Sequence, residues 1–279
     1  MTRDEVRAFY DSFGKWSWER FADPNAGAIR FAINCHAIES RLVTGARVLD
    51  LGGGPGRYSF WLAERGFRVV LADLSPALLA LARARATVTG HDAQLEALVE
   101  ADACDLSVWC DGAFDAVLAM GPFYHLPDQK DRDLAATEIA RVLRPGGLAF
   151  VTLIPYTVFL RRALTTNNGQ HLLELPRFVS DVLEYGVFLD DEHHGFPDGY
   201  SAHPTDIAPF FERHGFTTVA VLASDSIVPD LPQSLTDLAT NSPAHYQAAL
   251  DILIQIAGEP SILGMSNEVL YVGRKPFGL

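Results

Sequence analysis

The chain has 279 residues, of which 48% are hydrophobic and 20% charged, a balance that describes a globular protein and excludes a disordered one. Its 22 basic residues against 35 acidic ones leave a net charge of −13. Such a surface disfavours nucleic acid and anionic membrane as partners, because both call for a basic patch. Three cysteines, Cys35, Cys104 and Cys110, imply no disulfide framework and point to a reducing, cytoplasmic setting. The start of the chain lacks the apolar core of a signal peptide, and no apolar run reaches the roughly 18 residues of a membrane span.

In chain order, residues 1–44 read as helical, with Val6, Phe9, Ile29, Ile33 and Ala37 at helical spacing and rings at Tyr10, Phe13, Trp16, Trp18 and Phe21. The pattern then changes. Val48-Leu49-Asp50-Leu51 is a short strand running into Gly52-Gly53-Gly54-Pro55-Gly56, followed by a helix from Tyr58 to Arg65. Val69 to Ala72 is a second strand ending at Asp73, and Ser75-Pro76 starts a helix as N-cap and first-turn proline. Leu95 to Val99 is a third strand, followed by Asp102-Ala103. Phe114 to Ala119 is a fourth, ending at Met120-Gly121-Pro122. A helix over 131–143, closed by Arg144-Pro145-Gly146-Gly147, leads to a fifth strand from Leu148 to Ile154.

Apolar strands alternating with helices predict a parallel sheet covered on both faces, whose ligand site lies beyond the carboxyl ends of the strands. Residues 155–203 interrupt the alternation, with helices expected over 156–164 and 172–185, and read as a lid insertion. The pattern returns with a helix over 204–214 and a strand over 216–223. A second insertion, 225–263, carries a helix over 243–256 and precedes a last strand over 268–272. The expectation is a single domain with a helical cap (1–44), a core (45–154), a lid (155–203) and the rest of the sheet (204–279).

The strand ends carry the chemistry. Glycines at 52, 54 and 56 allow a tight strand-to-helix turn and close approach of a ligand, but their spacing is not that of a dinucleotide loop. Asp50 beside that loop would repel a pyrophosphate and suit an amine. Asp73 can accept both hydroxyls of a ribose, and Asp102 the amino group of an adenine. An amine, a ribose and an adenine without a phosphate describe S-adenosylmethionine.

With Asp73-Leu74-Ser75-Pro76, Phe114-Asp115-Ala116-Val117 and Arg141-Val142-Leu143-Arg144-Pro145-Gly146-Gly147 in order, these segments resemble class I S-adenosylmethionine-dependent methyltransferases. The resemblance covers about residues 45–154 and resumes at 204–224 and 268–274. It implies an α/β fold: a Rossmann-like, seven-stranded, mostly parallel sheet with helices on both faces. It also implies that Asp50, Gly52, Gly54, Gly56 and the Met120 backbone hold the methionine end. Asp73 would take the ribose hydroxyls, with Leu74 packed against the adenosine, and Asp102 and Ala103 would hold the adenine. Gly121-Pro122-Phe123-Tyr124-His125-Leu126 resembles a bacterial subgroup acting on small specialised metabolites. In that subgroup Tyr10 would cap the methionine end and Arg20 pair with its carboxylate.

For transfer, His125 is the candidate base or orienting group, because it follows the fourth strand where the acceptor should lie. Tyr124, Trp18 and His36 are candidate acceptor contacts. His193 and His194 read as a solvated loop, with a metal as the alternative. The expected partner is a small aromatic or amine metabolite methylated on nitrogen or carbon, with S-adenosylhomocysteine as coproduct and a monomer or homodimer as the assembly. O-methylation, a metal-assisted reaction on 2-oxo acids, and a module that binds without turnover stand as alternatives.

Overall fold

The computed structural model describes residues 2–12, 26–90, 95–165, 170–175, 177–188, 199–228 and 232–278. Helices α1 (Arg3–Ser12) and α2 (Ala26–Glu39) precede strand β1 (Arg47–Leu51). Then come α3 (Arg57–Glu64), β2 (Arg68–Asp73), α4 (Pro76–Thr89), β3 (Leu95–Glu100) and β4 (Phe114–Ala119). A 3-10 turn (Pro122–His125) leads to α5 (Gln129–Val142) and the long β5 (Leu143–Pro155). The insertion holds α6 (Thr157–Thr165), a second 3-10 turn (Gln170–Glu174), α7 (Phe178–Tyr185), β6 (Val187–Phe188) and β7 (Gly199–Ala202). The chain closes with α8 (Pro204–Arg213), β8 (Thr217–Ala223), α9 (Pro232–Asn241), α10 (Pro243–Ile256), α11 (Pro260–Leu263) and β9 (Val269–Arg274).

Local chemistry sets these boundaries. The Ser75 hydroxyl accepts from the Leu78 N–H at 3.1 Å with Pro76 next in line, and α4 ends on Gly90 at φ 73°. Asp128 caps α5 by accepting from the Lys130 N–H at 2.9 Å.

Strands β3, β2, β1, β4 and β5 lie side by side and run parallel. On the far side of β5 sits β9, antiparallel, with β8 antiparallel to it. Alternate residues face opposite layers: Leu49 and Leu51 pack with Val70, Val117 and helices α5 and α8, while Val48, Val69 and Leu118 pack with Tyr58 and Trp61 of α3.

Three expectations need correction. The sheet has nine strands among the described residues, not seven, because the β6–β7 hairpin joins it: Ser201 and Ala202 pair in parallel with Ile154 and Pro155 at the tail of β5. Strands of two and four residues are too short to show an alternating pattern. Strand β5 starts at Leu143, not Leu148, because Gly146 and Gly147 bond the backbone of Lys275 at 2.8 and 2.9 Å. The helix expected over 172–185 is a 3-10 turn and a separate α7, and the sequence puts Pro176, which cannot donate a helical hydrogen bond, between them.

At the edge where the parallel strands end, α2 is fixed by a buried ion pair. Arg30 donates to both oxygens of the fully buried Asp225 at 2.8 and 2.7 Å. Nearby, the Ser224 hydroxyl donates to Asn34 at 2.9 Å, and the Asn34 amide donates to the Tyr58 hydroxyl at 3.1 Å. Arg30→Met would strand the Asp225 carboxylate in the interior, a loss of about 3–5 kcal/mol. Denaturant unfolding of the variant against the parent measures it, and a loss well under 1 kcal/mol would mean that water reaches the carboxylate.

Candidate active site

Because β1 to β5 run parallel, their carboxyl ends share one edge, and a cavity of about 410 Å³ opens there. Its floor is the loop after β1. Gly54 and Gly56 adopt φ of 56° and 89°, a region that side chains other than glycine rarely occupy. Gly52 is constrained twice: its φ is 68°, and a Cβ there would lie 2.7 Å from the Pro122 ring. Gly52 and Gly54 line the cavity. Gly56 does not; a Cβ there would meet the Phe60 ring at 2.8 Å, so this glycine serves the turn into α3.

Two carboxylates reach the cavity from neighbouring strands. Asp50 on β1 is fully buried; its Oδ2 accepts from the Ser59 hydroxyl at 2.6 Å, and its buried Oδ1 has no hydrogen-bond partner among the described residues. Burial pushes the Asp50 carboxyl up to about 6, with nearby Asp73 adding to the shift and the Ser59 hydroxyl opposing it. Asp73 at the end of β2 accepts from the N–H groups of Gly54 at 2.7 Å and Ser75 at 2.8 Å. Burial raises it to about 6 as well, against those backbone hydrogen bonds.

Leu74, Ala103 and Met120 line the same cavity. Asp102 also lines it, but its Oδ2 is paired with the Arg3 guanidinium of α1, and its Oδ1 accepts from the Cys104 N–H at 2.9 Å. Arg3 reaches Asp131 of α5 at 3.2 Å too. Helix α1 thus crosses the rim, held also by Arg7 to Glu100 at 2.8 Å and by a hydrogen bond from the Ser75 hydroxyl to Asp11.

His125 closes the 3-10 turn after β4 and lines the same cavity. Its Nε2 shares a 2.5 Å hydrogen bond with the Tyr10 hydroxyl of α1, and the two rings meet edge to face. Tyr124 lines the wall beside it, and its ring lies 4.7 Å from that of His125. The Tyr124 ring is buried.

The structure therefore brings together Tyr10, Asp50, Gly52, Gly54, Asp73, Leu74, Asp102, Ala103, Met120, Tyr124 and His125. His36 is not among them: it is exposed on α2, whose buried side is formed by Ile29, Ile33, Ala37 and Ile38. Trp18, Arg20, His193 and His194 lie outside the described residues. Sequence reasoning missed Arg3, Asp128, Asp131 and Tyr58 in the lining. Asp128 alone carried a local signal, as a helix N-cap; Arg3 is linked to its partner across 99 residues of chain.

The cavity fits the group that the sequence implies. An orphaned carboxylate oxygen suits an ammonium, and Asp73 keeps a further lone pair on each oxygen for hydroxyl groups.

Residues 48–147 match the family described as "Methyltransferase domain". Over 135 residues the chain is 38% identical to a demethylmenaquinone methyltransferase of Thermus thermophilus, a match covering 44% of this chain and 58% of that protein. Over 159 residues it is 39% identical to a cypemycin N-terminal methyltransferase of Streptomyces, covering 56% and 60%. The chain thus spans less than two thirds of the length of these relatives. Among solved structures, the 1,6-didemethyltoxoflavin-N1-methyltransferase of Burkholderia thailandensis, with 1,6-didemethyltoxoflavin and S-adenosylhomocysteine bound, superposes with a TM-score of 0.57 at 18% identity, covering 99% of this chain and 91% of that one. At that identity the likeness shows the shared fold. The likeness to a methyltransferase domain thus covers residues 48–147 of the chain.

Proposed function

We propose that the chain transfers the methyl group of S-adenosylmethionine to a small aromatic or amine metabolite, on nitrogen or on an electron-rich carbon. The observation that carries this reading is a cavity at the strand ends lined both by Asp50, whose Oδ1 has no hydrogen-bond partner among the described residues, and by His125. The two relatives named above, a demethylmenaquinone methyltransferase and a cypemycin N-terminal methyltransferase, support a small or terminal acceptor.

When bound, S-adenosylmethionine supplies a methyl group on a positively charged sulfur, so the reagent arrives activated. The chain's residues have three tasks. Asp50 and the Gly52–Gly54 loop hold the amino-acid end, and Asp73 and Leu74 the ribose. Asp102 and Ala103 border the adenine side, with Arg3 across the rim. The walls exclude water, and His125 meets the acceptor. Because its Nε2 is engaged by Tyr10 and its Nδ1 is buried, a proton leaving the acceptor reaches the imidazole through the Tyr10 hydroxyl, which takes up that proton as it passes its own to Nε2. Alignment supplies most of the rate, since an in-line displacement asks chiefly for geometry.

Asp50, Asp73, Asp102, Asp128 and Asp131 line the cavity against Arg3 and Arg57. With Asp50 and Asp73 given to the cofactor and Asp102 and Asp131 paired with Arg3, the net negative lining acts on the acceptor at longer range, where it opposes an anionic 2-oxo acid more than a neutral amine or ring. Labelled S-adenosylmethionine, offered with a panel of indoles, phenols and amines, should mark an amine or an electron-rich ring. Binding of S-adenosylhomocysteine with no transfer to any member would favour a module without turnover.

Calorimetry should show S-adenosylhomocysteine binding that weakens by about 1–3 kcal/mol in Asp73→Ala. Binding should also fade below about pH 6, where Asp50 and Asp73 take up protons. The sign follows from the raised values: each group's contribution to folding is full below its ordinary 3.8 and is lost as pH rises through about 6, and a ligand that prefers the carboxylate reverses that loss. Affinity that is flat from pH 5 to 8 would remove both carboxyls from the contact.

His125→Ala should lower kcat by about 10²-fold or more with S-adenosylhomocysteine affinity nearly intact. His125→Asn separates the two roles: an amide replaces a hydrogen bond but takes no proton, so retained turnover would assign orientation and equal loss would assign proton transfer. Near-normal turnover in both variants would exclude His125.

A further inference from the structure

The turn that carries His125 is held from behind by a buried cation. Arg132 of α5 is only 7% exposed. Its Nη1 donates to the carbonyl oxygens of Leu126 and Pro127, both at 2.7 Å. These are the two residues that follow His125. Among the described residues Arg132 forms no ion pair with a carboxylate. Its guanidinium carbon instead lies 3.7 Å from the centre of the Tyr200 ring. A buried cation costs desolvation unless hydrogen bonds and a π face offset it. Here that compensation is directed at one place, the backbone between His125 and α5.

Tyr200 does not belong to the core strands. It sits on β7, in the hairpin that interrupts the alternation of strands and helices, and β7 runs against the Pro122–His125 turn. The same hairpin is tied to the tail of β5 through Ser201 and Ala202. One face of the guanidinium therefore reads the position of the hairpin, and its N–H groups fix the chain beside His125.

We infer that Arg132 is a positioning residue that couples the β6–β7 hairpin to His125: seating of the Tyr200 ring on the guanidinium orients the two carbonyls that set the His125 imidazole against the Tyr10 hydroxyl. The inference rests on the reading of His125 as the acceptor-side group. It gives the insertion a defined chemical task at the site, and it assigns functions to Arg132 and Tyr200, neither of which touches the acceptor side of the cavity. Lysine cannot replace Arg132, because it lacks the planar face and the fork of donors that serve ring and carbonyls together.

The test reads the imidazole directly and needs no acceptor. The full chain is labelled with ¹⁵N-histidine, and the His125 ring signals are assigned by their absence in His125→Gln. Tyr200→Leu and Arg132→Lys should each shift the His125 signals, while His36 and His245, both exposed and distant, keep theirs. Tyr200→Phe, which keeps the ring, should leave His125 at its parental position. Tyr200 is half-buried, so the Leu and Phe pair carries the test even if Arg132→Lys does not fold. His125 signals unmoved in Tyr200→Leu, or moved as far by Tyr200→Phe, would overturn the coupling. Titration of the same samples with S-adenosylhomocysteine separates the two claims: absence of binding would count against the proposed function, while the histidine signals still decide the coupling.

Discussion

Two carboxylates withdrawn from water, Asp50 and Asp73, stand at the ends of adjacent parallel strands, close enough for the charge on Asp73 to raise the pKa of Asp50. The arrangement holds because the strands are buried on both faces, so the first polar groups the backbone can present are those where each strand stops. The glycine loop wraps around this pair, with the Gly54 N–H on Asp73. The rest of the cavity is built outward from it: Met120 at the end of β4, the His125 turn beyond, and α1 across the rim. A pair of buried acids is unfavourable until something polar or cationic meets it, and that constraint gives the empty space its chemical preference.

What the sequence displayed was what local pattern can carry. Asp50 and Asp73 each close an apolar run, Ser75-Pro76 marks a helix start, and the segment ending at His125 follows a strand of five apolar residues and one acid. The resemblance gives Gly56 to the ligand, yet its neighbourhood is the Phe60 ring; a glycine looks the same in sequence whether the turn, the packing or a ligand requires it. His36 sits on a helix next to the site in sequence order, but the phase of α2 turns it to solvent. Arg3 and Asp102, or Arg132 and Tyr200, meet across long stretches of chain, and no periodicity reports such pairs. The β6–β7 hairpin was hidden by its brevity.

The two additions to the sheet contact the site differently. The hairpin approaches from the side of α5 and acts on backbone, through Arg132 at the carbonyls behind His125. Helix α1 approaches from the open side and acts on side chains, placing Tyr10 on the imidazole and Arg3 on Asp102. His125 is thereby held between two segments that are distant in sequence, and neither belongs to the five parallel strands β1 to β5.

Helix α1 buries none of its residues fully, and ion pairs and hydrogen bonds fasten it across the rim. Attachments of that kind weaken as ions screen them, whereas the apolar layers beneath the sheet do not. The helix and the core therefore answer to different properties of the solution. Ionic strength acts on how readily the cavity exchanges its contents and leaves the fold that shapes it nearly unchanged.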